Sequence, residues 1–329
     1  MPLRAISRNF ARPMLAYYLH DLNPFIFRIW GNFGPRWYGM AYVLAFLCGF
    51  LLLRLLAKRG YTQLRPEQVG DFITWAALFG VMLGGRLGYV FFYRPEMLRD
   101  PLSIVRVWEG GMSSHGGMIG LIVFTYWYAW RHKISWMNLG DNLVVVAPIG
   151  LFFGRCANFI NGELYGRLTN LPWAMLFPKE LLDPANVAEA ERAVAAAQRI
   201  DPSLTTPEAI VNALPNEPRL REMLRSILTP RHPSQLYEAF LEGVVLFAIL
   251  WFVRTRTRQP DGVLTGLFFV CYAIFRIVVE YFREPDASLI AGFTRGQFFS
   301  FFLIAIGLAF IIIGKIRNRH AAAKPEVRL

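Results

Sequence analysis

The stretch QFFSFFLIAIGLAFIIIG, residues 297–314, contains no ionisable side chain. A bilayer's hydrocarbon core is about 30 Å thick, and a helix rising about 1.5 Å per residue needs roughly 20 mostly apolar residues to cross it. This run meets the demand once its flanking turns are included. Six earlier stretches show the same character, near Trp37–Ala57, Phe72–Tyr93, Gly116–Trp130, Leu139–Gly154, Leu236–Val253 and Gly262–Tyr281. The third and fourth of the seven are short, so Gly-rich flanking backbone is expected to continue into the membrane zone, packed inside protein. The expected fold is an all-α polytopic membrane protein with seven transmembrane helices.

Composition supports this. Of 329 residues 55% are apolar and only 18% charged, which excludes a disordered or nucleic-acid-binding tail protein. The net charge of +12, in such an apolar chain, reads as basic loops beside anionic lipid. Cys48, Cys156 and Cys271 lie far apart in apolar surroundings and indicate neither a disulfide framework nor a metal site.

Lysines and arginines in short loops are retained on the cytoplasmic side. The loops after the first, third and fifth spans hold Arg54, Lys58, Arg59, Arg65, Arg131, Lys133, Arg254, Arg256 and Arg258, and the tail adds Lys315, Arg317, Arg319, Lys324 and Arg328. The opposite loops hold Arg94, Arg99, Arg106, Arg283 and Arg295. The C-terminus is therefore expected inside and the N-terminus outside. The leader disagrees, because it carries Arg4, Arg8, Arg12, Arg28 and Arg36; the first three vanish if translation begins at Met14. The expected organisation is a leader over residues 1–36, helices one to four over 37–166, a small helical domain on the outer side over 167–231, helices five to seven over 232–314 and a basic tail over 315–329. Within the outer domain, Asn186 with Glu189 reads as a capping box opening a helix to about Ile200, and Thr206-Pro207 and Pro218-Arg219 read as two further helix starts.

An ionised side chain inside a bilayer survives mainly where it faces protein or water, so charged positions within the spans mark function. Arg86 lies among Gly80, Gly84 and Gly88, whose four-residue repeat is a close-packing face; a structural pairing of Arg86 with a carboxylate or carbonyls is the plainer reading. His115 opens the third span within Trp108-Glu109-Gly110-Gly111-Met112-Ser113-Ser114-His115-Gly116-Gly117, where four glycines let another group approach the ring. An imidazole there serves either as a proton acceptor for a thiol or hydroxyl or as a hydrogen-bonded structural residue.

The fourth span ends in Gly154-Arg155-Cys156-Ala157-Asn158-Phe159-Ile160-Asn161-Gly162-Glu163-Leu164-Tyr165-Gly166-Arg167. One guanidinium, two carboxamides and one carboxylate between glycines suit a phosphate, with a helix-end capping network as the alternative. Cys156 reads as apolar filler. In the sixth span Tyr272, Arg276, Glu280 and Arg283 fall within an arc of about 80° at 100° per residue. Two arginines with one carboxylate leave positive charge for an anion, against the plainer reading of a structural Arg–Glu pair.

The strings around His115, over Gly154–Gly166, His232-Pro233-Ser234-Gln235-Leu236-Tyr237-Glu238, Phe275–Asp286 and Thr294-Arg295-Gly296-Gln297 resemble the bacterial phosphatidylglycerol–prolipoprotein diacylglyceryl transferases. The resemblance covers roughly Trp37 to Gly314, leaving out the leader, the interior of the outer domain and the last dozen residues, and the outer domain is longer than the family's usual arm. It implies a bacterial inner-membrane enzyme, N-terminus periplasmic and C-terminus cytoplasmic, with the outer domain in the periplasm. The implied reaction moves the sn-1,2-diacylglyceryl group from phosphatidylglycerol to the lipobox cysteine thiol of a preprolipoprotein, releasing sn-glycerol 1-phosphate, the first step of lipoprotein maturation. By the same resemblance Arg155 and Arg276 are the indispensable arginines and His115 the base, with Glu163 as the alternative base. Tyr38, Asn158, Asn161, Gly166, Tyr272 and Glu280 match the remaining site positions. The implied partners are phosphatidylglycerol, the lipobox segment and membrane lipid.

The residue types agree with that chemistry. The incoming sulfur belongs to the substrate, so no nucleophile of the enzyme's own is required. Arginines in a low-dielectric site stabilise the charge growing on a departing phosphate. The few His, Asp and Glu residues form no ligand cluster, so no metal or other cofactor is expected. A transporter or flippase for an anionic lipid headgroup is the alternative; it would favour inverted repeats with paired broken helices, and none is evident.

Overall fold

A computed structural model describes residues 17–30, 33–106, 110–285 and 288–322. The expected start at Met14, Trp108 and Glu109 of the glycine-rich loop, Asp286, and the tail residues Lys324 and Arg328 lie outside them. The described residues divide into two compact units.

The larger unit takes in Pro35–Ala157, Tyr237–Tyr281 and Pro285 onward. Its long helices are α1 (Trp37–Lys58), α2 (Gln68–Tyr93), α3 (Ser114–His132) and α4 (Trp136–Asn161), the last of which runs past its boundary. Among the described residues six helices are long and apolar enough to cross a bilayer: α1, α2, α4 and three later ones, Ser234–Arg256, Val263–Glu280 and Arg295–Arg319. The expected third span coincides with α3, which has 19 residues but is less apolar than the six. Ser114, His115, Thr125, Arg131 and His132 lower its hydropathy.

Close contact between α2 and α3 follows the expected glycine face. A Cβ on Gly84 would lie 2.7 Å from the Gly116 carbonyl oxygen and 2.8 Å from the Gly120 Cα, and one on Gly80 would press on the Leu121 backbone at 3.1 Å. Small residues let two backbones approach where apolar burial between helices is no driving force. Arg86, 3% exposed, takes its plainer role. It donates to the carbonyl oxygens of Ser103 (2.6 Å), Ile104 (2.8 Å), Arg106 (3.1 Å), Gly110 and Gly111 (2.9 Å), so one guanidinium ties the short helix Pro101–Val105 to the glycine-rich loop that leads into α3. The apolar core of this unit is built from Leu53, Leu56, Phe72, Leu139, Leu246, Leu250 and Leu264, all at most 1% exposed.

The smaller unit gathers the described residues up to Gly34 with Asn158–Leu236 and Phe282–Glu284. Here the all-α expectation fails at one place, because β1 (Tyr18–Leu19) pairs in parallel with β2 (Met175–Leu176). Three helices follow, α5 (Val187–Ala197), α6 (Pro207–Ala213) and α7 (Pro218–Ile227). Thr206 caps α6 as expected, its Oγ1 accepting from the Ala209 N–H at 3.2 Å, and Glu217 caps α7. The capping box at Asn186 does not form. Its side chain instead donates to the Glu180 carbonyl at 3.0 Å, and α5 ends at Ala197 rather than near Ile200.

The chain returns through α8 (Ser234–Arg256), α9 (Val263–Glu280) and α10 (Arg295–Ala322). Asp141 of α4 fixes the start of α9, accepting from the N–H groups of Gly262 and Thr265, each at 2.8 Å. Such an acceptor satisfies donors that every helix N-terminus leaves unpaired.

Candidate active site

Three helices of the larger unit bring ionised groups together. Arg155 of α4 sets Nε 2.6 Å from Glu238 Oε2 and Nη2 3.5 Å from Glu242 Oε2, both on α8. Arg276 of α9 sets Nη1 3.2 Å from Glu238 Oε1 and 3.8 Å from Glu242 Oε1, and Nη2 2.5 Å from Glu280 Oε1 one turn along its own helix. Glu238 thus bridges both guanidiniums. Residues 239–245 of α8 wind with the wider turn of a π-helix, a form that recurs at functional sites, and Glu242 lies within it. Tyr272 lies in the electrostatic reach of Glu242, Arg276, Arg155 and Glu238, its ring stacked on Phe268.

On the α9 face the plainer Arg–Glu pair forms, between Arg276 and Glu280, but the expectation of two arginines opposed to one carboxylate fails. Arg276 and Arg155 share Glu238 and Glu242, Glu280 pairs with Arg276 alone among the described residues, and Arg283 is absent from the face because α9 ends at Glu280. Pro285 follows closely and disfavours helix in the residue before it; Arg283 instead bridges Gly166 in extended pairing. The two signs in the cluster differ in exposure. The side chains of Glu238, Glu242 and Glu280 are 1%, 0% and 4% exposed, whereas those of Arg155 and Arg276 keep 19% and 14%. The guanidiniums are the accessible members of the cluster, and the carboxylates that pair with them are buried.

Gly296, at the start of α10, permits this closeness. A Cβ there would run into Glu280 Oε1 and would stand 3.0 Å from Arg276 Nε. The glycine carried no role in the sequence reading, and neither did Glu238 or Glu242.

The smaller unit assembles the rest of the Gly-Arg-Asn string. Beyond Asn161, where α4 ends, the chain turns through Gly162 (φ +65°) and Leu164 (φ +58°). Glu163 Oε1 accepts from Asn158 Nδ2 at 2.8 Å and Asn161 Nδ2 at 3.4 Å. The Glu163 carbonyl accepts from Gln235 Nε2 at 2.6 Å, the Leu164 carbonyl from Ser234 Oγ at 3.0 Å, and the Gly166 N–H donates to the His232 carbonyl at 2.8 Å. The string 232–235 is thus a clamp on the turn. No side chain fits at Gly166, since its Cβ would strike the Phe282 carbonyl and the His232 Cβ. His20, a residue the sequence reading passed over, is 5% exposed and packs between Phe159 and Phe177 with Nδ1 against Gly162. Burial lowers its pKa, so the ring is held neutral.

Among the described residues the two remaining candidates share no hydrogen bond or ion pair with the arginine cluster, so its geometry does not include them. His115 is the second residue of α3, exposed, beside the Ser113 Oγ that caps the helix by accepting from the Gly116 N–H at 3.1 Å. Among the described residues its side chain forms no hydrogen bond or ion pair. Tyr38 of α1 contacts Tyr42 one turn on, ring centroids 5.5 Å apart.

A family model described as prolipoprotein diacylglyceryl transferase matches residues 24–313. The chain belongs to the prolipoprotein diacylglyceryl transferase family. Relatives named phosphatidylglycerol–prolipoprotein diacylglyceryl transferase occur in Bdellovibrio bacteriovorus, 38% identical over 90% of this chain and 93% of the relative, and in Gluconacetobacter diazotrophicus, 40% identical over 89% and 90%. Another, from Azospirillum brasilense, is 39% identical over 94% of this chain and all of its own length. With its six apolar helices this diacylglyceryl transferase family member is a multi-pass membrane protein.

Proposed function

We propose that this chain transfers the sn-1,2-diacylglyceryl group of phosphatidylglycerol to the lipobox cysteine thiol of preprolipoproteins, in the bacterial inner membrane, releasing sn-glycerol 1-phosphate. The observation that carries this reading to these atoms is the pair Arg155 and Arg276, converging on one buried carboxylate and keeping their own exposure. The thiol sulfur attacks the glyceryl carbon, a C–S bond forms, the C–O bond breaks, and its electron pair leaves on the phosphate oxygen. Both guanidiniums stabilise that charge where little water screens it. Tyr272 and Glu280 orient Arg276. Asn158, Asn161, Glu163 and Gly166 shape the turn that follows Arg155, and Tyr38 contributes a phenol at the start of α1.

The helix α3 is the seventh crossing in this reading. Its exposed Met118, Ile119, Ile122, Val123, Tyr126 and Trp127 suit lipid, and its small face is spent on α2. The basic loops argue for a cytoplasmic C-terminus, with the 167–231 segment in the periplasm.

Purified protein incubated with phosphatidylglycerol and a lipobox peptide should raise the peptide's mass by one diacylglyceryl group. An unchanged mass with lipid movement across the vesicle would make the chain a transporter instead.

The proton leaving the thiol goes to His115 in this proposal, because Glu163 is already engaged by two carboxamides. His115→Gln should depress turnover at neutral pH and recover partly as pH rises past the thiol's ordinary pKa of about 8.5. Glu163→Gln, whose defect is in positioning, should show no such recovery. Rates measured from about pH 6.5 to 9.5 around that value decide between them; recovery in Glu163→Gln alone would transfer the base role to Glu163.

A further inference from the structure

The charged cluster shares its helical turns with an apolar slot. Cys48 and Leu51 of α1, Ile149, Phe152 and Phe153 of α4, and Gly243 of α8 are among the walls of a cavity of about 500 Å³ with no charged residue in its lining. That volume falls within the roughly 300–1,000 Å³ of small-molecule sites. Phe152 lies three residues before Arg155 on α4, hence on a neighbouring stripe of the helix. Gly243 directly follows Glu242, whose carboxylate pairs with both arginines. The glycine also sets the wall's closeness, since a Cβ there would lie 2.7 Å from the Phe152 Cβ.

We propose that this slot receives one acyl chain of the phospholipid donor and so selects its length and shape. The inference rests on the proposed transferase reaction. A diacylglyceryl phosphate carries its ester-linked chains a few bonds from the phosphorus, so a lipid whose phosphate meets Arg155 and Arg276 needs an apolar path beginning beside those guanidiniums. The slot is apolar and is walled by Phe152 and Gly243, which stand three residues and one residue from cluster members on α4 and α8. A lipid of the surrounding bilayer is the competing occupant, and it would have no effect on product identity. Discrimination in the slot is steric, because a chain leaving the bilayer for an apolar wall gains no hydrophobic free energy; fit and overpacking alone separate one chain from another.

The test uses the full chain in mixed micelles with equimolar dilauroyl- and dioleoyl-phosphatidylglycerol and a lipobox peptide, whose product masses report directly which lipid was used. Cys48→Phe fills the slot and should shift the product ratio toward the dilauroyl group by roughly fivefold or more. Leu51→Ala widens it and should shift the ratio the opposite way, which keeps the proposal testable if the phenylalanine variant does not fold. Wild-type ratios in every folded variant overturn the proposal and assign the slot to bulk lipid. Absence of diacylglyceryl product from the wild-type chain instead overturns the transferase reading beneath it.

Discussion

Arg276→Lys and Arg155→Lys should each lower turnover by roughly ten- to a hundredfold while the protein still inserts and folds. Arg276 spreads its contacts over Glu238, Glu242 and Glu280 through two nitrogens, and Arg155 engages Glu238 and Glu242 through Nε and Nη2. A guanidinium makes these bonds in one plane and keeps further N–H donors for a phosphate, whereas an ammonium is a compact point charge on a shorter reach. Losing one charge-assisted hydrogen bond in a dry site costs about 1.5–3 kcal/mol, which sets the range of the rate effect. The measurement is diacylglyceryl transfer to a lipobox peptide at saturating phosphatidylglycerol, alongside the thermal transition of each variant in detergent. Wild-type turnover in either lysine variant would mean that the arginine acts only as diffuse charge.

The second large effect belongs to a residue that the charge pattern along the chain does not single out. Glu238→Gln should destabilise the protein by about 3 kcal/mol, at the low end for breaking a buried ion pair because Glu242 and Glu280 remain beside the two cations. Glu242→Gln should cost clearly less. Its oxygens stand 3.5 and 3.8 Å from the guanidinium nitrogens, at or beyond hydrogen-bond range, against 2.6 and 3.2 Å for Glu238. Thermal unfolding of both variants with transfer activity in parallel checks the order; a larger loss from Glu242→Gln would reverse the assignment of the bridging carboxylate.

Much of this protein is legible before any coordinates. Six of the seven expected spans coincide with helices apolar enough to cross a bilayer, because hydrocarbon forces a chain to satisfy its backbone hydrogen bonds within each segment. Length and hydropathy then suffice, and no knowledge of neighbours enters. The glycine face of Gly80, Gly84 and Gly88 is legible for a related reason: three small residues at helical spacing have one use against another helix, and Gly116 and Gly120 supply it. Arg155 and Arg276 are legible because a cation within an apolar stretch needs a reason to be there.

The partners of those cations are not legible, since Glu238 and Glu242 lie 83 and 87 positions after Arg155 and their facing depends on how α4, α8 and α9 rotate and cross. Periodicity also misleads at one point, where α9 stops before Arg283, which a uniform 100° step would have kept on the same face. The pairing of Tyr18–Leu19 with Met175–Leu176 and the burial of His20 against Gly162 join residues more than 140 positions apart, through backbone bonds and ring packing that leave no local pattern. The sequence by itself determined which segments are apolar enough to cross a bilayer and which charges they carry, because the cost of exposing polar groups to hydrocarbon is set residue by residue. Only the tertiary structure decided which carboxylates hold the two guanidiniums and which side of the cluster remains accessible, because ion pairing at 2.6 to 3.8 Å depends on the relative placement of separate helices.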